Sequence, residues 1–148
     1  MVDETRVWSR RWVVLGLLGV GLTACGGSAS QPPAASTITP AELANRLAAE
    51  TAPLILDVRS QREYEQGHIP GARHIPHHEL AQRLGELPRD PQQEIVVYCE
   101  VGVRAHRAEQ ILTAAGFRGV RHLTGDMRAW RQGQYPTALP SSPLSPPP

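Results

Sequence analysis

The strongest constraint on the fold is a pair of short apolar runs, Pro53–Val58 (PLILDV) and Glu94–Tyr98 (EIVVY), each followed by a helix-start signal. Runs this short and uninterrupted suit strands buried on both faces, since half-exposed strands alternate apolar with polar residues. After the first run, Ser60-Gln61-Arg62-Glu63 forms a capping box opening a short helix that Gly67 ends. After the second, a loop containing Gly102 leads into Ala105, Ala108, Ile111, Leu112 and Ala115 at helical spacing, stopped by Gly116. Arg73–Ile75 and Val120–Leu123 read as two further strands. Thr39-Pro40-Ala41-Glu42 caps an opening helix carrying Leu43 and Leu47 on one face. His78–Glu86 reads as a helix closed by Pro88, and Asp126–Gln132 as a last one. Strands alternating with helices predict an α/β fold, a mostly parallel sheet with helices on both faces. Such sheets bind ligands beyond the carboxyl ends of their strands, and Cys99 stands at that end of the second run.

The segments flanking this unit have a different composition. Residues 1–24 read as a signal peptide: Arg6, Arg10 and Arg11 precede an apolar stretch from Val13 to Leu22 that is too short to span a bilayer, which takes roughly 20 residues. Leu22-Thr23-Ala24-Cys25 resembles a lipobox, which implies cleavage before Cys25 and a lipid on its sulfur. The resulting expectation is an extracytoplasmic protein held to a bacterial envelope membrane by that lipid. Residues 25–38 are mostly Gly, Ser, Ala and Pro and read as a flexible tether, and 137–148 as a disordered Pro/Ser-rich tail. Residues 39–136 remain for one folded domain, expected to be a monomer.

Several chemistries are excluded by what the chain lacks. It contains no lysine, which removes Schiff-base enzymes and lysine-dependent phosphate loops. Without residues 1–24, which hold three arginines and two acids, 12 basic residues face 12 acidic ones. A neutral chain with no basic stretch is a poor nucleic-acid binder. Ser60 is the one serine between residues 37 and 140, so a serine triad is not expected. Two cysteines make no zinc knuckle, and His74, His77 and His78 lack the spacing and acidic company of a metal site. No metal site is expected from these residues. What is left is chemistry carried by a single cysteine.

In Tyr98-Cys99-Glu100-Val101-Gly102-Val103-Arg104 a strand passes through a tight loop into a helix. That geometry turns successive backbone N–H groups inward and aims a helix N-terminus at the sulfur, which favours a thiolate. Gly102 supplies the dihedral freedom the loop needs, and Arg104 can hydrogen-bond across it or meet an anion.

The Cys-x-x-Gly-x-Arg pattern after an apolar strand resembles the active-site loop of the rhodanese family. Leu56-Asp57-Val58-Arg59 with Glu63-Tyr64, then Gly67-His68-Ile69-Pro70-Gly71-Ala72, is similar to the opening signatures of that family. Leu123-Thr124-Gly125-Asp126-Met127-Arg128-Ala129-Trp130 resembles its closing one. The resemblance implies a rhodanese-like fold and a sulfurtransferase in which Cys99 is the nucleophile. It would take a sulfane sulfur from thiosulfate, a persulfide or a polysulfide and pass it to cyanide or a thiol. The backbone of Glu100, Val101, Gly102, Val103 and Arg104 would bind the substrate, and the resemblance implies that neither metal nor organic cofactor is required. Asp57 and Arg59 would brace neighbouring loops, with Asp57 also a candidate contact for Arg104.

Two positions depart from the family pattern. Glu100 stands where a basic or neutral residue is common, and its charge should repel a dianion unless it points to solvent or pairs with an arginine such as Arg104 or Arg107. Asp126 stands where a second glycine is common, close enough to affect the last loop but not the nucleophile. Three alternatives remain open: a persulfide carrier or binding module without turnover, an arsenate reductase, and a phosphatase. Phosphatase loops of this kind place five residues between Cys and Arg, and here there are four, 100 to 103.

Overall fold

The computed structural model describes residues 36–140. The signal-peptide segment, Cys25, most of the tether and the end of the tail lie outside the described residues. The elements run β1 (Thr37–Ile38), α1 (Pro40–Ala48), β2 (Leu54–Asp57), α2 (Gln61–Glu65), β3 (Arg73–His74), β4 (Ile95–Tyr98), α3 (Val103–Ala114), β5 (Val120–Leu123) and α4 (Asp126–Gln132), with a 3₁₀ turn at Leu84–Glu86. The strands form one sheet in the order β1-β5-β4-β2-β3, every pair parallel.

Both capping signals work as the sequence implies. Thr39 accepts the Glu42 N–H at 3.1 Å with Pro40 at the first helical position. Ser60 and Glu63 make the reciprocal capping box of α2. β4, at the centre of the sheet, is buried at all four positions. Its side chains alternate between two cores. Ile95 and Val97, with Leu56 and Val58 from β2 and its exit, pack under Ala105, Ala108 and Leu112 of α3. Val96 and Tyr98, with Ile55 and Leu123, pack under Leu43 of α1 and Met127 and Trp130 of α4. Each large apolar side chain so buried contributes roughly 1.5–3 kcal/mol. A sheet covered on both faces is what keeps its central strands uniformly apolar.

Two boundaries differ from the expectation. Ile38, assigned above to the tether, is 1% exposed and belongs to the core, because Thr37–Ile38 pairs with His122 and Leu123 as an edge strand. Ala138, assigned to the tail, exchanges both backbone hydrogen bonds with His68 at 2.9 and 2.8 Å. The stretch from His78 to Glu86 is not an α-helix. Successive i→i+3 bonds (Glu79 N–H to Pro76, Gln82 to Glu79, Glu86 to Arg83) carry the chain instead. This turn chain already buries Leu80 and Leu87 and packs Leu84 against them, so apolar spacing alone could not distinguish it from a helix.

Candidate active site

Because all five strands are parallel, their carboxyl ends lie on one edge of the sheet, and the chain leaves β4 there directly into Cys99. The residue is buried, and its Sγ accepts the Gly102 N–H at 3.0 Å. Gly102 has φ +98°, a conformation L side chains resist. A Cβ there would also come within 3.1 Å of the Asp126 carboxylate. Glycine is therefore what allows the loop to fold back onto its own sulfur. α3 begins at the next residue, so its N-terminal amides and dipole face the loop. Val101 and Val103, on either side of Gly102, carry their side chains at the surface, 49% and 62% exposed.

Arg104 does not turn a free cation toward an incoming anion. Its two terminal nitrogens each donate to one oxygen of Glu63 at 2.6 Å, tying the start of α3 to α2. That bidentate bond holds the Glu63 carboxyl down to about 2, and it raises Arg104, to which Cys99 is a lesser partner. Sequence reasoning missed Glu63 as a member of the site, since its capping role already accounted for it. Asp57 makes no contact with Arg104. It binds its neighbour Arg59 through the backbone N–H and both Nε and Nη2, and takes a 2.6 Å hydrogen bond from the Tyr98 hydroxyl. Arg59 Nη2 also donates to the Gly67 carbonyl. This pair is fully buried beside the nucleophile's strand, as a brace.

Glu100 is neither free nor paired with Arg104 or Arg107. One oxygen accepts from Arg131 of α4 at 2.7 Å, and the other lies 3.6 Å from Arg59 Nη1. That Nη1 makes no hydrogen bond among the described residues, so Glu100 is its nearest counter-charge. Much of the charge expected to repel anions at the loop's mouth is therefore offset.

The Asp126 expectation is corrected more sharply. Its Oδ1 accepts the N–H of Cys99 itself at 2.7 Å, and the Met127 N–H donates to the Cys99 carbonyl at 3.0 Å. The first turn of α4 thus grips the nucleophile's backbone from both sides. Asp126 is 3% exposed and has φ +55°, a left-handed conformation costing roughly 1 kcal/mol in a non-glycine residue. The strain is held by a carboxylate that reaches the nucleophile. Its other oxygen meets His122 Nε2 at 3.0 Å, and His122 Nδ1 meets Glu109 at 2.9 Å. Neither His122 nor Glu109 carries a sequence signal, because they meet only when β5 lies beside β4 beneath α3.

The remaining histidines are occupied locally. His68 stacks on Tyr64 and bonds its carbonyl, and His74 Nε2 meets the Arg59 carbonyl. A cavity of about 410 Å³ lies at the amino ends of the strands, against Leu84, Leu87, Pro88, Ala115 and Phe117. It is at the opposite edge of the sheet from Cys99 and contains no nucleophile.

Comparison with known proteins extends beyond the loop. The family model of the rhodanese-like domain matches residues 39–133. A sulfurtransferase of Allochromatium vinosum is 35% identical over 98 residues, covering 66% of this chain and 90% of its own. Human thiosulfate:glutathione sulfurtransferase is 34% identical over 108 residues, covering 65% and 93%. In some other relatives the match takes up less than half of a longer chain. Among solved structures, the rhodanese-like domain of an Anabaena protein superposes with a TM-score of 0.64 at 31% identity, covering 76% of this chain and 86% of that one. The cysteine loop, the parallel five-stranded sheet behind it and the match across nearly all of the folded region agree, and this chain belongs to the rhodanese-like family.

Proposed function

We propose that the protein is a sulfurtransferase whose Cys99 accepts and passes on one sulfane sulfur. The observation that carries this reading is the Cys99 Sγ held by the Gly102 amide at the mouth of α3. In the first half-reaction the Cys99 thiolate attacks the outer sulfur of thiosulfate. A Cys–S–S⁻ persulfide forms as the S–S bond to the sulfonate breaks, and sulfite leaves with the bonding pair. In the second, cyanide or a thiolate attacks the terminal sulfur of the persulfide, giving thiocyanate or a new persulfide and restoring the thiolate. Backbone amides from Glu100 to Arg104 supply fixed donors for the charge that moves during both steps. A persulfide or polysulfide donor fits the same scheme, with a thiolate leaving in place of sulfite.

Replacing the nucleophile tests this directly. Cys99→Ser keeps nearly the same shape but forms no persulfide, so sulfur transfer to cyanide should vanish while the domain stays folded. Appreciable residual turnover would remove Cys99 from the role. A persulfide carrier differs in one respect: it would load a single sulfur and show no catalytic turnover with small acceptors.

The lipobox-like Leu22–Cys25 supports a second part of the proposal, a lipid on Cys25 that holds the protein to a membrane. No helix among the described residues is long and apolar enough to cross a membrane. Acyl chains contribute ~0.8 kcal/mol per buried CH₂. Cys25→Ser should therefore move the protein from the membrane fraction to the soluble one with sulfur transfer intact. Sedimentation unchanged by the substitution would contradict lipid tethering.

A further inference from the structure

Behind the nucleophile lies a set of charges that the transfer chemistry above does not use. Asp126 is buried and bonds the Cys99 amide, and it stays in a left-handed conformation to do so. His122 sits between Asp126, at 3.0 Å from Nε2, and Glu109, at 2.9 Å from Nδ1. An imidazole facing two carboxylates can donate to both only when protonated, because its neutral form has one N–H. With the proton on, the three groups sum to a single negative charge. Without it they carry two, and one carboxylate faces a lone pair. The bond to Asp126 is the first reason that His122 titrates above its ordinary value, ahead of the charges of Asp126 and Glu109. Its side chain is 19% exposed, so the proton exchanges with solvent.

The elements packed around the unit bring one exposed imidazole to Glu109. On α3, His106 meets Glu109 from the far side at 3.2 Å. On β5, Arg121 points to the opposite face, toward Glu42 and Glu94. From β1's side only backbone approaches, with the His122 N–H bonded to the Ser36 carbonyl. The loop is in direct contact with the unit, since a Cβ on Gly102 would fall 3.1 Å from Asp126 and 3.8 Å from the His122 ring.

The geometry points to His122, with Asp126 and Glu109, as a specificity-determining positioning unit for Cys99: its charge state sets how readily the loop accepts a negatively charged reagent over a neutral one. The consequence for sulfur donors rests on the sulfurtransferase reading. With His122 protonated the unit behind the sulfur carries one negative charge in place of two, and dianionic thiosulfate is admitted more readily. With His122 neutral, the uncompensated carboxylates oppose it while leaving a neutral polysulfide unaffected. The proton comes from and returns to water, and no redox step is involved.

The test compares two alkylating reagents of similar size, one anionic and one neutral. Iodoacetate and iodoacetamide react with the same thiolate, so the ratio of their rates at Cys99 reports the local field rather than the thiolate population. The full-length protein is alkylated across the neutral and alkaline range, and modification of Cys99 is read by peptide mass. In the wild type the iodoacetate-to-iodoacetamide ratio should fall by about fivefold to tenfold as His122 loses its proton. In His122→Gln, which keeps a hydrogen bond but no charge, the ratio should be flat. Asp126→Gly suits the positive φ and removes the carboxylate, so its ratio should be higher than the wild type's at every pH. A flat wild-type ratio, or the same fall in His122→Gln, would overturn the proposal. Because alkylation needs only a thiol, failure of the sulfurtransferase reading would show separately, as absent persulfide formation beside an intact alkylation profile.

Discussion

The strands on either side of β4 each end in a cluster of charged groups, and the two clusters are built from different chemistry. On the β2 side, Asp57, Arg59 and Tyr98 form a closed set in which both carboxylate oxygens are bonded. Burial opposes the Arg59 charge, but its bonds to Asp57 outweigh that and push it further up. Burial, then the Asp57 charge, does the same to Tyr98. On the β5 side, Glu109, His122 and Asp126 leave one proton free to come and go. The first cluster fixes where the loops after β2 sit, through the Gly67 carbonyl and the Ile69 N–H that bonds the Tyr98 hydroxyl. The second holds the nucleophile's own backbone. One side of the site is rigid in charge as well as shape, and the other is rigid in shape alone.

The contrast can be broken most forcefully at Asp57. Asp57→Asn leaves the Arg59 guanidinium buried without its partner, which should cost about 3–5 kcal/mol of stability. Urea denaturation should show that loss, and show it constant across the neutral range. A loss under about 1 kcal/mol would mean that the pair is not the brace described.

A smaller effect, with a different pH signature, is expected on the other side. His122 titrates higher in the folded chain than in the unfolded one, so its contribution is full below the unfolded value of about 6.5 and is lost as pH rises through the folded one. The stability difference between wild type and His122→Gln should be about 1 kcal/mol in mild acid and shrink toward alkaline pH. A difference that grows with pH would reverse the assignment.

Glu100, which touches the first cluster and the second cluster's helix, should matter least. It pairs with Arg131 and lies near Arg59, so Glu100→Gln removes a scaffold contact along with a repulsive charge. Thiosulfate and a neutral polysulfide should lose activity alike, by less than about threefold, with little dependence on salt. A selective gain with thiosulfate that fades at high salt would restore simple repulsion.

These two clusters also differ in how far the sequence reveals them. Asp57 and Arg59 lie two residues apart at the end of an apolar run, so a role as braces is legible from local pattern. The same holds for Cys99, Gly102 and the helix after them, and for the parallel sheet, whose strands show up as uninterrupted apolar runs. Glu109, His122 and Asp126 come from α3, β5 and α4, and their meeting depends on strand order, which local periodicity does not encode. Glu63 was hidden for another reason: one carboxylate caps α2 and also binds Arg104, and the first role accounts for it fully. Ile38 was lost to composition, as a single apolar residue beside a Gly/Ser/Ala/Pro segment.

On the sulfurtransferase proposal, Cys99, held in this loop, takes up a single sulfane sulfur and gives it back. Intact-mass analysis of the protein after exposure to thiosulfate tests it most directly. The mass should rise by one sulfur atom, located on Cys99 by peptide mapping, absent in Cys99→Ser and removed by cyanide with release of thiocyanate. An unchanged mass with thiosulfate and with a polysulfide donor, from a protein whose Cys99 still alkylates, would contradict it.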